Sequence, residues 1–131
     1  MELQDANTGR TNMENHELVL NDMRSLCKTC RDMEMYIRGF GKKRDSTTAL
    51  IDEIGLQLSN LGKEWEEKSG YVATNGFDEE GDFSYAKLGY AVSLAYKRYS
   101  EILNEFRFGL DRLKLLDEYK KYEIYAEPGG F

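Results

Sequence analysis

The sequence predicts an all-α protein: two long amphipathic helices in an antiparallel coiled-coil hairpin, expected to dimerise into a helical bundle. Three observations predict it. Apolar residues recur at alternating spacings of four and three along most of the chain. Strict period-two alternation, the mark of a half-buried strand, is absent. One glycine-rich acidic stretch divides the periodic region into two parts.

Residues 1–13 are polar and carry no apolar run, so they read as a disordered N-terminal tail without a secretory leader. The first helix is expected over 14–68. Its stripe runs Val19, Met23, Leu26, Cys30, Met33, Ile37, Phe40, Arg44, Thr47, Ile51, Ile54, Leu58, Leu61, Trp65, and twelve of these fourteen positions are apolar. A seven-residue repeat is the period of a coiled coil. Gly39 and Gly41 flank Phe40, and Asp45 or Ser46 would suit a helix N-cap, so a turn here is the competing reading. The register is nevertheless the same on both sides. A loop of arbitrary length keeps register about one time in seven. One continuous helix, kinked near Gly39–Gly41, is therefore the expectation.

Residues 69–82 follow as an acidic loop. Gly70, Gly76, Gly81 and the pair Asn75-Gly76 mark turns. A calcium loop would need oxygens at alternating positions and a closing glutamate. Those are missing, so the stretch reads as a solvated connector. The second helix is expected over 83–126, with Ser84 as N-cap and Pro128 with its glycines beyond the end, leaving 127–131 as a tail. Its stripe is Tyr85, Leu88, Val92, Ala95, Tyr99, Ile102, Phe106, Gly109, Leu113, Leu116, and nine of the ten are apolar.

A two-helix hairpin buries one stripe per helix and leaves its flanks bare. Leu20, Cys27, Tyr36, Leu50, Tyr96, Leu103 and Leu110 lie beside the stripes. Exposed apolar strips of that length mark association, and a symmetric dimer is the usual form. The expected interface seam is Met23, Leu26, Cys30, Met33, Ile37, Ile51, Ile54, Leu58, Leu61, Trp65, Leu88, Val92, Tyr99, Ile102, Phe106 and Leu113. Arg44 and Thr47 interrupt it at the middle, where a polar residue can set register or snorkel outward.

Composition narrows the function classes. The 131 residues are 40% hydrophobic and 32% charged, with mean hydropathy −0.66, which is one domain's worth of chain. The net charge of −6 is uneven: zero over 1–51, −7 over 52–82 and +1 over 83–131. Cys27 and Cys30 are spaced as a redox pair or half a metal site. A zinc site wants about four ligands, and His16 is the sole histidine. Both thiols therefore read as small apolar residues, with Cys30 on the core stripe and a reducing, cytoplasmic home expected. No metal, no cofactor and no catalytic group is expected, because Glu66-Glu67 and Glu79-Glu80 are adjacent pairs that diverge on a helix. Basic residues come in twos and threes with acids nearby, so nucleic acid is not an expected partner.

Leu61-Gly62 late in the first helix, Lys87-Leu88-Gly89 early in the second, and Leu110 through Leu116-Asp117-Glu118-Tyr119-Lys120-Lys121-Tyr122 carry a resemblance. Over most of 17–125 the chain resembles the first two helices of a BAR domain of the sorting-nexin type. That resemblance implies a curved dimer whose basic residues, here Lys42, Lys43, Arg44, Lys97 and Arg98, meet an anionic membrane. The residues themselves point first to a non-enzymatic helical interaction or assembly module, whose partner is a second copy or another helical protein. BAR-like membrane binding is the alternative, and an acidic decoy or inhibitor, motivated by 52–82, is the second alternative.

Overall fold

In the computed structural model the backbone is described for residues 2–43 and 49–126, and the side chains for 15–43 and 49–123. The protein is all-helical over these residues. Its helices are α1 (Glu2–Lys43), α2 (Ala49–Asn75), α3 (Tyr85–Arg112) and α4 (Leu116–Ala126).

The expected single helix over 14–68 does not form. α1 ends at Lys43, and α2 lies back along it. The Arg31 guanidinium meets the Glu66 carboxylate at 2.5 Å, and a Cβ placed on Gly62 would stand 3.3 Å from the Cβ of Cys30. That close approach suits glycine at position 62, since an added Cβ would require Cys30 to give way by a few tenths of an ångström. Preserved register misled because the connection from Phe40 to Ile51 has the one length in about seven that keeps the heptad spacing across a reversal of the chain. Arg44 and Thr47 lie outside the described residues, as does the 127–131 tail. Gly39 and Gly41 do not stop α1. Gly39 instead admits the Tyr122 hydroxyl, which would stand 2.6 Å from a Cβ there.

Three further boundaries differ. Residues 2–13, expected as a disordered tail, have helical backbone continuous with α1, since extending a nucleated helix is cheap. α2 runs seven residues into the expected 69–82 loop, because Val72 is buried and holds another turn against the core. Gly76, at φ 78°, then ends it, its N–H donating to Val72 O at 2.7 Å. The connector is folded as well: Asp78 N–H donates to Phe83 O, Ser84 N–H to Gly81 O, and the Tyr71 hydroxyl to the Asp78 carboxylate. Ser84 caps α3, accepting from Lys87 N–H at 3.3 Å.

The expected 83–126 helix breaks at 113–115. Leu115 N–H donates to Leu110 O and Lys114 N–H to Asp111 O, the paired bonds of a Schellman C-terminus. The left-handed residue that closes it, normally glycine, is Lys114 at φ 59°. A left-handed L-residue costs about 1–2 kcal/mol, so Lys114→Gly is expected to raise stability by about 0.5–1 kcal/mol in urea titration, net of glycine's entropy. Loss of stability would contradict the turn.

α3 closes the core that a two-helix hairpin leaves open. It runs parallel to α1, with Gly89 against Val19 and the Tyr96 hydroxyl donating to Asp22 O. It runs antiparallel to α2, with Arg98 donating to Gln57 Oε1 at 2.8 Å and Gly109 against Leu50. α4 then lies against the α1 C-terminal half: the Tyr36 hydroxyl donates to Glu123 O at 2.6 Å, and the Tyr119 ring meets Phe40 and Phe106 edge-on at 5.2 and 5.1 Å.

Candidate functional site

Most of the expected seam is the interior of this bundle. Met23, Leu26, Cys30, Trp65, Leu88 and Val92 are buried in one cluster. Ile37, Ile51, Ile54, Leu58, Ile102 and Phe106 are buried in a second. Leu61 and Tyr99 pack partly buried against both, and Met33 against the second. Leu113 departs from the rest, being 49% exposed where α3 ends. Among the flanking residues expected to be bare, Cys27 and Leu110 are buried, and Leu20, Tyr36, Leu50, Tyr96 and Leu103 are partly covered. The structure thus assigns the heptad stripes to intramolecular packing, because α3 and α4 supply the cover that a second copy was expected to bring.

The basic residues do not assemble into one surface. Lys42 and Lys43 are exposed in the last turn of α1, with the Lys43 ammonium 5.7 Å from the Tyr122 ring. Lys97 and Arg98 sit midway along α3, where Arg98 binds Gln57 and approaches Glu101 and Glu105. Arg44 lies outside the described residues. The acidic segment is likewise spread along α2 and its loop, with Glu66 paired to Arg31, Glu64 to Lys68, and Asp78 holding Tyr71.

The two thiols are buried and free. Burial pushes Cys30 from its ordinary 9.0 up to about 12, and burial also raises Cys27, with Glu66 adding to the shift. Both are held as neutral thiols, the opposite of the thiolate that redox or metal chemistry needs. Slow alkylation of the native protein at pH 8, and prompt alkylation in denaturant, are the expected result. Folded thiols that resist ionisation stabilise the fold fully below about pH 9, and that stability declines as pH rises above it, because the unfolded chain loses protons first. Prompt native alkylation would contradict the burial. The His16 ring packs at a tilt against Phe77 and Tyr85, with centroids 4.9 and 4.6 Å away. Among the described residues no group of three or more His, Cys, Asp and Glu gathers as a metal site, and no helix is long and apolar enough to cross a membrane.

One surface went unread in the sequence. On α3, Tyr90, Leu94, Lys97, Glu101, Asn104 and Phe108 recur at four and three, and all six are exposed. Tyr90 is 70%, Leu94 48% and Phe108 65% exposed. At 100° per residue they form one solvent-facing stripe, about 27 Å long at 1.5 Å per residue, on the face of α3 opposite its buried stripe. The signal was in the sequence, since the spacing repeats that of the core stripe, but the more apolar stripe of the same helix masked it.

No protein-family model, no curated protein and no solved structure matches this chain. The chain's own surface is therefore what bears on function. Elsewhere among the described residues the large exposed apolar side chains, Leu18, Met35 and Leu56 on α1 and α2 and Leu113 at the end of α3, stand singly, which is ordinary for a protein surface.

Proposed function

We propose that this protein is a non-enzymatic helical interaction module that binds another helix through the outer face of α3. The observation that carries this reading is the stripe of Tyr90, Leu94 and Phe108, whose rings and side chain face solvent on a helix whose other face is packed. Aromatic residues exposed in line along a rigid helix supply contact area at low entropic cost. The neutral, buried thiols support a non-catalytic reading, because neither offers an activated nucleophile. The interaction acts through the outside of the bundle and not through the heptad seam, which is already occupied. Lipid binding would draw on Lys42 and Lys43 at the end of α1 and on Lys97 and Arg98 midway along α3, which offer an anionic surface no single basic face.

The test is site-specific photo-crosslinking in cells. A photoreactive residue at position 94 is compared with one at position 28, where the exposed Lys28 stands on the outside of α1. Protein adducts from 94 that are absent from 28 are the expected result. No adducts from 94, or the same adducts from both, would contradict the proposal.

A further inference from the structure

The outer stripe of α3 is self-complementary under reversal. Its positions 90, 94, 97, 101, 104 and 108 are spaced four, three, four, three, four, a sequence of intervals that is identical read in either direction. Two α3 helices laid antiparallel with a twofold axis level with residue 99 therefore bring every position opposite another. Tyr90 faces Phe108, Leu94 faces Asn104, and Lys97 faces Glu101, each contact made twice. An antiparallel pair of seven-residue repeats layers residues in this way, and a twofold interface requires such reciprocity.

Resting on the interaction reading above, we propose that the partner of this face is a second copy of the chain, bound antiparallel through α3.

Charge selects this arrangement. A parallel pair would set Lys97 against Lys97 and Glu101 against Glu101, whereas the antiparallel pair sets each lysine against a glutamate. Lys97 makes no ion pair among the described residues. Glu101 has only Arg98 of its own helix, at 3.7 Å and about half exposed, so it remains open to a cation from across the axis. The register is selected as well. Sliding one helix by seven residues leaves Tyr90 or Phe108 without an opposite number on the stripe, so only the symmetric register engages all four aromatic rings. Among the described residues no element covers the face, since all six positions are exposed, and α4 lies beside α1, held by Tyr36 and by Arg107 against Glu123.

The experiment is sedimentation equilibrium of the full chain over a wide concentration range, for the wild type, Lys97→Glu, Glu101→Lys and the double charge exchange. Both positions are exposed, so all four proteins should show the same helical circular dichroism. A monomer–dimer equilibrium is expected in the wild type. Each single change places like charges across the axis twice and should raise the dissociation constant about tenfold, and the exchange should restore it. A wild type that is monomeric throughout, or single changes without effect, would overturn the pairing. So would an exchange that fails to restore it. Crosslinking from position 94 separates this from the broader reading. An adduct at twice the 15.2 kDa chain mass supports the pairing. Adducts with other proteins alone overturn self-pairing and leave the interaction module standing, and no adduct at all overturns both.

Discussion

Ile54→Asp is expected to unfold the protein. Ile54 is 1% exposed and sits in the second core cluster with Ile37, Phe40, Ile51, Leu58, Ile102 and Phe106, so residues of α1, α2 and α3 all close on it. An aspartate there loses the transfer energy of a large aliphatic side chain and adds a carboxylate with no partner. The combined cost is about 4 kcal/mol or more, against a total stability of about 5–15 kcal/mol for a domain of this class. Circular dichroism should show loss of most helical signal, or a urea midpoint shifted far down. Leu56→Asp is the companion. Leu56 is two residues away but 57% exposed, and its change should lie within about 0.5 kcal/mol of the wild type. Equal effects at the two positions would mean that the face of α2 is wrongly assigned.

Tyr119 gives the second large effect, with opposite signs in two variants. Its ring fills the angle between Phe40, Phe106 and Tyr36, and it is 1% exposed. Its hydroxyl has no hydrogen-bond partner among the described residues, and burial, with Glu123 and Tyr36 adding, raises its pKa well above the usual tyrosine range. A buried donor without an acceptor costs about 1–3 kcal/mol. Tyr119→Phe keeps the packing and removes that cost, so it is expected to stabilise by about 1 kcal/mol. Tyr119→Ala empties the site and is expected to destabilise by about 3–5 kcal/mol, releasing α4 first. Urea titration of both variants checks this. A destabilising Tyr119→Phe would show that the hydroxyl is in fact satisfied.

The helical class was legible because period is a local property: each stripe is written on its own segment. Most residues of the two stripes in 19–65 and 85–116, from Met23 to Phe106, are buried within the chain. What they could not carry was which stripe faces which. The turn between α1 and α2 was hidden because the spacing of eleven positions from Phe40 to Ile51 preserves the heptad phase, as an unbroken helix would. The break before α4 was hidden because its left-handed residue is Lys114, where glycine would have announced it. Missing both turns left two helices too thin to cover their flanks, and so the seam was read as an interface. The outer stripe of α3 was overlooked for a related reason. Lys97, Glu101 and Asn104 make it weakly apolar, and only once the stronger stripe is seen to be interior does the weaker one become the available surface.

The fold-back of α1 on α2 is the claim on which the rest depends, and the distance between positions 31 and 66 tests it. These residues are 35 apart in sequence, and their side chains, Arg31 and Glu66, are in contact and more than half exposed. Spin labels placed at both positions by a non-cysteine chemistry, leaving Cys27 and Cys30 untouched, should show strong dipolar broadening in a magnetically diluted sample, where contacts between copies do not contribute. A continuous helix would hold the two positions about 52 Å apart at 1.5 Å per residue. Sharp, unbroadened spectra would contradict the bundle and return the stripes to an extended hairpin.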